Sequence, residues 1–441
     1  MPMPKIILVL ILTLSLFLQM NCKDEPPVKP TPTNPLQLTA EDVSCTEAWL
    51  KISLTESEVD RALTLKRNDS TIAIITITGK DTLLLDTLLL PNNTYTYTLV
   101  KDNWSATAHI TTMDTTSHDW NWTVEQLGIT QSYLHDVAII NDTLAYAVGE
   151  IYINDSTGKF DNTPYNLAKW NGKKWELERV VINHRGSIGV PILNGIFAFS
   201  PTDIWLVAGS PIHGDGKNWT YFDIRAILGK DSISVTKAWG SSSSDMYFVG
   251  WGGGIIYYNG TTWKKIESGT TAELNDVWGG SNKWLGDNVV LVTGMNGQLF
   301  NANKLLRIKN GVVDTLGLPI EYTKRGLLTS VWFNQYSPVY ISGDWIFKFH
   351  GLAGWNSEEE KLSQSALGTY SIRGNNVNDI ITSGTIGLIA HFNGVSWKMF
   401  NEVKLNYRDF HSVTIKENLA IAVGVEGTQF PVGIIAVGKR K

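Results

Sequence analysis

Aromatic, carboxylate and guanidinium side chains gather in one stretch of the chain. The segment from Glu150 to Asn166 holds Tyr152, Asp155, Phe160, Asp161 and Tyr165; His184 and Arg185 follow, then His213 and Asp215, then Trp251. Flat aromatic faces beside hydrogen-bond donors and acceptors suit stacking on, and bonding to, a sugar or a peptide. Tyr152, Tyr165, Arg185, His213, Asp215 and Trp251 are therefore the candidate ligand-binding residues. Their contacts are expected over 150–166, 183–194 and 210–217, all on one rim of the fold. The competing explanation is that these loops are decoration. No catalytic residue, cofactor site or metal site is assigned. The sequence lacks Gly-x-Ser-x-Gly, His-Glu-x-x-His, a Gly-Lys-Ser/Thr phosphate cradle and any Cys/His metal spacing. Gly252-Gly253-Gly254 reads as a turn between strands, since a phosphate loop would lead into a helix.

The elements that must position these residues repeat. Lys237-Ala238-Trp239-Gly240, Asp245–Gly250, Ile255–Gly260 and Trp263 parse as four short strands, with Asn259-Gly260 as the hairpin turn before the fourth. Asn171-Gly172 with Trp175, Asp215-Gly216 with Trp219 and Asn393-Gly394 with Trp397 repeat that hairpin. A glycine closes the second strand at 149, 209, 250, 294, 343, 384 and 424. Two copies depart: Asn310-Gly311 leads to Asp314, and Gly351 leads to Trp355 one residue late. Four short strands in about 40–50 residues is the pattern of a β-propeller blade. The glycines predict seven blades over 118–441. The last copy ends at Lys441 without a fourth strand, whereas Trp122–Gly128 has the character of one, so strand 122–128 is expected to close the last blade. The motif resembles bacterial propeller repeats of the photosystem-assembly-factor and sialidase (Asp-box) type, with Gly-x-Thr-Trp at Gly260–Trp263. Those are turn residues, so the resemblance implies a fold and no activity. Arg373 stands where other copies carry Trp239, Trp278 and Trp332 on the strand that lines the central channel; its charge either faces water there or forms a salt bridge between blades.

The N-terminus reads as an address. Lys5 precedes an apolar run from Ile6 to Leu18, too short to cross a bilayer core of about 30 Å. Gln19-Met20-Asn21-Cys22 then resembles the cleavage site of bacterial lipoproteins, and Cys22-Lys23-Asp24-Glu25 resembles the surface-sorting signal of Bacteroidota lipoproteins. The resemblance implies a signal peptide over 1–21 and lipidation at Cys22. Residues 22–35 add a Pro-rich tether, extended at roughly 3 Å per residue. Cys45 is left as the sole other thiol and is read as a packing residue.

Residues 36–115 alternate apolar and polar, as in Trp49–Leu54 and Ala62–Arg67. Leu89-Leu90-Pro91 followed by Tyr95 resembles the E–F corner of fibronectin type III domains, where the Tyr hydroxyl bonds back to the backbone. Trp49 is expected as a core aromatic of this domain.

The whole is an all-β chain: a fibronectin III-like β-sandwich followed by a seven-bladed β-propeller. With 37 Lys+Arg against 42 Asp+Glu the net charge is −5, which argues against nucleic-acid partners. The expected role is non-catalytic binding of a glycan or protein at the outer membrane or cell surface, by a monomer held to the membrane only through its lipid anchor. The alternative is a polysaccharide-active enzyme with carboxylates in the central pocket. A purely structural envelope component is a third class.

Overall fold

The computed structural model describes residues 34–55, 59–229, 233–295, 303–318, 327–336, 338–344, 346–349, 357–360 and 368–441. The leader 1–21, Cys22, the tether as far as Thr33, and Gly351 with Trp355 lie outside the described residues.

Seven strands open the described chain: β1 (Leu36–Val43), β2 (Ala48–Leu54), β3 (Ala62–Arg67), β4 (Ser70–Thr76), β5 (Asp81–Asp86), β6 (Thr94–Lys101) and β7 (Trp104–Thr111). They form two sheets, ordered β1-β2-β5 and β4-β3-β6-β7. Alternation puts Leu50, Ile52, Leu63, Leu65, Tyr97 and Leu99 into the space between the sheets. At the entry to β6 the Tyr95 hydroxyl accepts the Leu90 N–H at 2.8 Å, and Leu89 is buried beside it. Trp49 is fully buried but lies out of phase with Ala48, Leu50 and Ile52 and stays outside that core. The aromatic at the centre is Tyr97, whose hydroxyl donates to Asp86 at 2.6 Å. Parity on β2 explains the correction: one residue along a strand changes face.

Among the described residues, seven more four-stranded antiparallel sheets follow. The first six span 133–178, 195–221, 235–266, 273–315, 328–360 and 369–399. The seventh takes Arg408–Lys416, Leu419–Glu426 and Val432–Arg440 from the end of the chain and β8 (Trp120–Leu127) from before the first sheet. β8 pairs antiparallel with Val432–Arg440, from Trp120 opposite Arg440 to Leu127 opposite Gly433. The first strand of each sheet lies against the first strand of the next, and that of the seventh returns to that of the first, so the sheets form a closed ring. Each strand's apolar side chains face the neighbouring sheets, which is why both faces of the second strands are buried.

Antiparallel order gives the ring two rims. The turns joining first to second and third to fourth strands lie on one, here called proximal; the second-to-third loops and the sheet-to-sheet connections lie on the other, here called distal. The sandwich docks on the proximal rim. Asp114 accepts from the Asn378 side chain at 2.8 Å, and Thr116 N–H donates to Asn393 O at 3.3 Å; both partners sit in turns of the sixth sheet. Glu41 meets Lys283, in a turn of the fourth sheet. Lys348 Nζ donates to Glu47 Oε1 at 2.8 Å, with both side chains almost wholly buried. Cys45 is buried in the same contact, and a Cβ on Gly394 would overlap its sulfur. Burial, then the nearby Asp114, pushes its thiol up to about 11.

Ring closure carries a polar latch. His118 Nδ1 and His391 Nδ1 are 2.8 Å apart, and His391 Nε2 donates to Asp379 Oδ1 at 2.8 Å. Arg440 also reaches Asp379, and its guanidinium lies 4.6 Å from the centre of the Trp120 ring. The latch therefore ties the segment before β8 to the sixth sheet and to the end of the seventh.

Candidate functional site

Register places Asp136, Gly195, Lys237, Asp276, Ser330, Ser371 and Ser412 at one level of the seven first strands, around the channel. Each of four acceptors takes the N–H of the next sheet: Asp136 from Ile196 at 3.0 Å, Asp276 from Val331 at 3.1 Å, Ser330 from Ile372 at 3.3 Å and Ser371 from Val413 at 3.2 Å. Ser412 Oγ donates to Asp136 Oδ1 at 2.6 Å, joining the seventh sheet to the first. Two ion pairs complete the plug. Lys237 Nζ lies 2.8 Å from Asp136, and Arg373 grips both oxygens of Asp276 at 2.9 and 2.8 Å. Arg373 belongs to the sixth sheet and Asp276 to the fourth, so this bridge reaches past the fifth. Burial works against the charged Asp276, but the Arg373 guanidinium, with Lys237 and Ser330, outweighs it and holds the carboxyl below its ordinary value.

The plug divides the channel. On its distal side is a cavity of about 380 Å³ lined by Asn275, Met295, Thr329, Tyr370 and His411, with Lys237 and Asp276 at its floor. His411 stands edge-on to Tyr370 at 5.9 Å. His135 is lowered to about 4 by burial, then by His411 and Lys237, and burial lowers His411 as well, so both rings are neutral at pH 7. On the proximal side is a smaller pocket of about 120 Å³ that includes Phe197, Trp278 and Arg373. The chemistry offered at the distal mouth is neutral imidazole, phenol and amide.

The candidate residues separate. Tyr152 follows the second strand of the first sheet on the distal rim and stacks on Phe160 at 5.2 Å. Tyr165 carries the Arg179 guanidinium 4.1 Å over its ring, and Arg179 also bonds Asp161 at 2.6 Å and Thr163 O at 2.6 Å. Tyr165 thus holds its own loop, through an arginine that no motif singled out. Arg185, in the turn of a hairpin formed by Ile182–His184 and Ser187–Gly189, binds Asp223 at 2.8 Å, as does His184 at 2.9 Å. Asp223 in turn caps the helix Ile224–Leu228. Trp251 is 59% exposed on the distal rim, in the turn whose Gly252 takes φ 63°.

His213 and Asp215 do not join them. Residues 211–214 form the third strand of the second sheet, so that chain runs from the distal to the proximal rim. His213 is stacked on Trp205 at 4.3 Å and bonded to Asp203 at 2.9 Å. Asp215 lies in the proximal turn, accepting from Lys217 and Asn218 N–H at 2.9 and 2.6 Å. The expected single rim is corrected to this extent: a four-residue strand beginning at Pro211 passed for a loop.

The distal rim carries other exposed apolar residues that periodicity did not single out. Ile188 on the hairpin, Ile227 on the helix, and Ile386, Tyr407 and Phe430 on loops of the sixth and seventh sheets are all exposed. Ile386 has φ 57° and Tyr407 φ 63°, rare for L residues and above all for a β-branched one. The Ile386 N–H is held by Asp409 at 3.1 Å.

Solved structures share this architecture. YCF48 bound to D1 peptide superposes with a TM-score of 0.52 at 14% identity, covering 74% of this chain and 98% of that one. The RRP9 WD40 repeats give 0.51 at 8% identity, covering 74% and 99%. A catalytically inactive virginiamycin B lyase from Staphylococcus aureus with quinupristin gives 0.51 at 8% identity, covering 71% and 99%. No family model matches the sequence, and no curated protein matches it. The chain is a nearly all-β protein containing a β-propeller. A fold that serves a lyase as well as WD40 repeats leaves activity to be argued from the site.

Proposed function

We propose that this is a lipid-anchored surface protein in which a seven-bladed propeller, carried on a fibronectin III-like spacer, binds a protein partner at the distal rim without catalysis. The observation that carries the reading is the arc of exposed Ile188, Ile227, Trp251, Ile386, Tyr407 and Phe430 on that rim, with the sandwich docked on the other. Scattered surface apolar residues need no explanation, but these six follow one another along a single rim, from the sixth sheet through the seventh, first and second to the third. Backbone strain at Ile386 and Tyr407 persists only where the surroundings impose it, which fits display of those side chains. The channel carboxylates favour binding over glycosidic cleavage: Arg373 holds Asp276 below its ordinary value, whereas a general acid needs a raised pKa, and the Asp136 oxygens are occupied by Lys237, Ser412 and the Ile196 N–H. The seven sheets and their closed contacts support the blade number. The order β1-β2-β5 against β4-β3-β6-β7 and the Tyr95 corner support the spacer. The anchor rests on the apolar run, Cys22 and the Pro-rich tether.

The test is peptide-display selection on the immobilised chain, followed by affinity measurement on a Trp251→Ala/Tyr407→Ala variant. Loss of an aromatic anchor weakens such binding roughly 30-fold. Enriched peptides that bind parent and variant equally would sink the reading.

A further inference from the structure

The space between the third and fourth sheets differs from its neighbour. Between the second and third sheets, Trp205, Phe222, Phe248, Tyr258 and Trp263 fill the gap, with ring centroids 4.4–6.1 Å apart. Between the third and fourth, a cleft of about 600 Å³ remains open, reaching the proximal rim. One wall is a row of register partners on the third sheet: Trp239 opposite Tyr247, Tyr247 opposite Tyr257, Tyr257 opposite Lys264. Tyr247 and Tyr257 lie 4.8 Å apart, and Trp239 continues the row at 6.4 Å from Tyr247. The facing wall is low, made of Gly280, Asn288, Val290, Asn310 and Gly311. A Cβ on Gly279 would overlap the Trp239 indole, so glycine there lets the buried ring pack against the fourth sheet.

Polar groups edge the row. Asp245 accepts from Ser241 Oγ at 2.5 Å and lies beside the Tyr257 hydroxyl. Burial, then Asp245, raises the Tyr247 hydroxyl to about 12, so it stays a neutral donor and acceptor. Lys264, Asn288 and Asn310 supply further donors and acceptors along the same opening. An apolar ligand would leave these groups unpaired. Two adjacent part-exposed tyrosine rings, with Trp239 buried behind them, bordered by hydroxyl, carboxylate, amide and ammonium groups, with one carboxylate and one ammonium balancing, match the apolar C–H face and ringed hydroxyls of a pyranose.

We infer that this cleft is a binding site for a short neutral saccharide, distinct from the distal protein-binding surface and on the opposite rim. Among the described residues Asp245 is the one carboxylate lining it, and hydrolysis by the usual route needs two, so the site holds sugar without cutting it. Neutral sugar could reach it as a free oligosaccharide or as part of a polymer.

The experiment is calorimetric titration of the full chain with cellotriose, maltotriose and chitotriose, with retention on insoluble cellulose or chitin separating polymer from free sugar. At least one trisaccharide should bind. Tyr257→Ala should weaken it roughly 30-fold, Tyr257→Phe and Lys264→Ala several-fold, and Trp251→Ala on the distal rim should change nothing. Because Lys264 is exposed and Tyr257→Phe keeps the ring, these two variants test the site without disturbing the sheet. No binding by any of the three sugars, or binding that ignores all three cleft substitutions, would overturn the inference. Loss of peptide binding in Trp251→Ala with sugar binding intact would show the two sites to be separate.

Discussion

Acidification should loosen the ring at its closing sheet, and the His118–His391 latch is where. His391 Nε2 donates to Asp379, so its Nδ1 is the acceptor, His118 Nδ1–H is the donor, and His118 Nε2 faces the Ser396 hydroxyl at 3.4 Å. One proton can be taken up by reversing these bonds. Two cannot, since two N–H groups would then meet at 2.8 Å. Burial, then His391, lowers His118 to about 4, and burial lowers His391 despite the opposing pull of Asp379. The unfolded chain titrates near 6.5, so between about 6.5 and 4 it binds more protons than the folded one, and stability must fall as pH falls through that window. For His118 alone the fall from 6.5 to about 4 is worth at most ~3.4 kcal/mol. The side chain is only part-buried, so solvent reduces this to about 1–2 kcal/mol. The perturbation is His118→Gln, which keeps an N–H for His391 Nδ1 and does not titrate. Urea midpoints followed by tryptophan fluorescence, at pH 7 and pH 4.5, give the drop for each protein. His135, lowered to about 4, contributes to both equally and cancels in the comparison. The variant should lose about 1–2 kcal/mol less than the parent across the window. An identical drop in the two proteins would refute the latch as the titrating element.

Three further outcomes are expected. Cys22→Ser should move the protein from the membrane to the soluble fraction, or leave it unprocessed; unchanged detergent partitioning with normal cleavage would refute the anchor. Trp120→Ala should cost about 3–5 kcal/mol, because Trp120 is buried in the closing sheet, and removal of 118–128 should cause aggregation; a truncated chain that melts like the parent would refute strand closure. Arg373→Ala should cost about 3–5 kcal/mol by leaving Asp276 buried without its partner, and adding Asp276→Leu should recover much of the loss; denaturation of both variants and the parent checks this.

The repeat was legible because each sheet rewrites the same local signals: period-two strands, Asn-Gly turns and a glycine after the second strand. Spacing could not say which rim a residue reaches. Asp215 and Trp251 each sit a few residues from a repeat glycine, at 209 and 250, yet one follows a complete third strand and the other does not. The row Trp239, Tyr247, Tyr257 is likewise invisible along the chain, since its members become neighbours only through cross-strand register. Trp122 looked like the closing aromatic because it matches the repeat. It stacks at 6.0 Å on Trp120, two residues earlier, and Trp120 is the more deeply buried of the pair. Arg373 stood out as a departure from the pattern, but its partner two sheets away in Asp276 needed the ring to be built.

The pairing of β8 with Val432–Arg440 has a consequence in time. Thr123 and Val437, which meet in that sheet, are 314 residues apart in sequence. At roughly 5–20 residues per second, a ribosome needs about a quarter of a minute to a minute to make the second after the first. For that interval β8 is a strand without its partner and the growing stack of sheets has two open ends. Sheets one to six can each form from their own local hairpins, whereas the last step waits for the contact most distant in sequence among the described residues. The slowest phase of refolding should therefore report on the seventh sheet, and anything that shields unpaired strand edges during synthesis should raise yield more than it raises the stability of the finished ring.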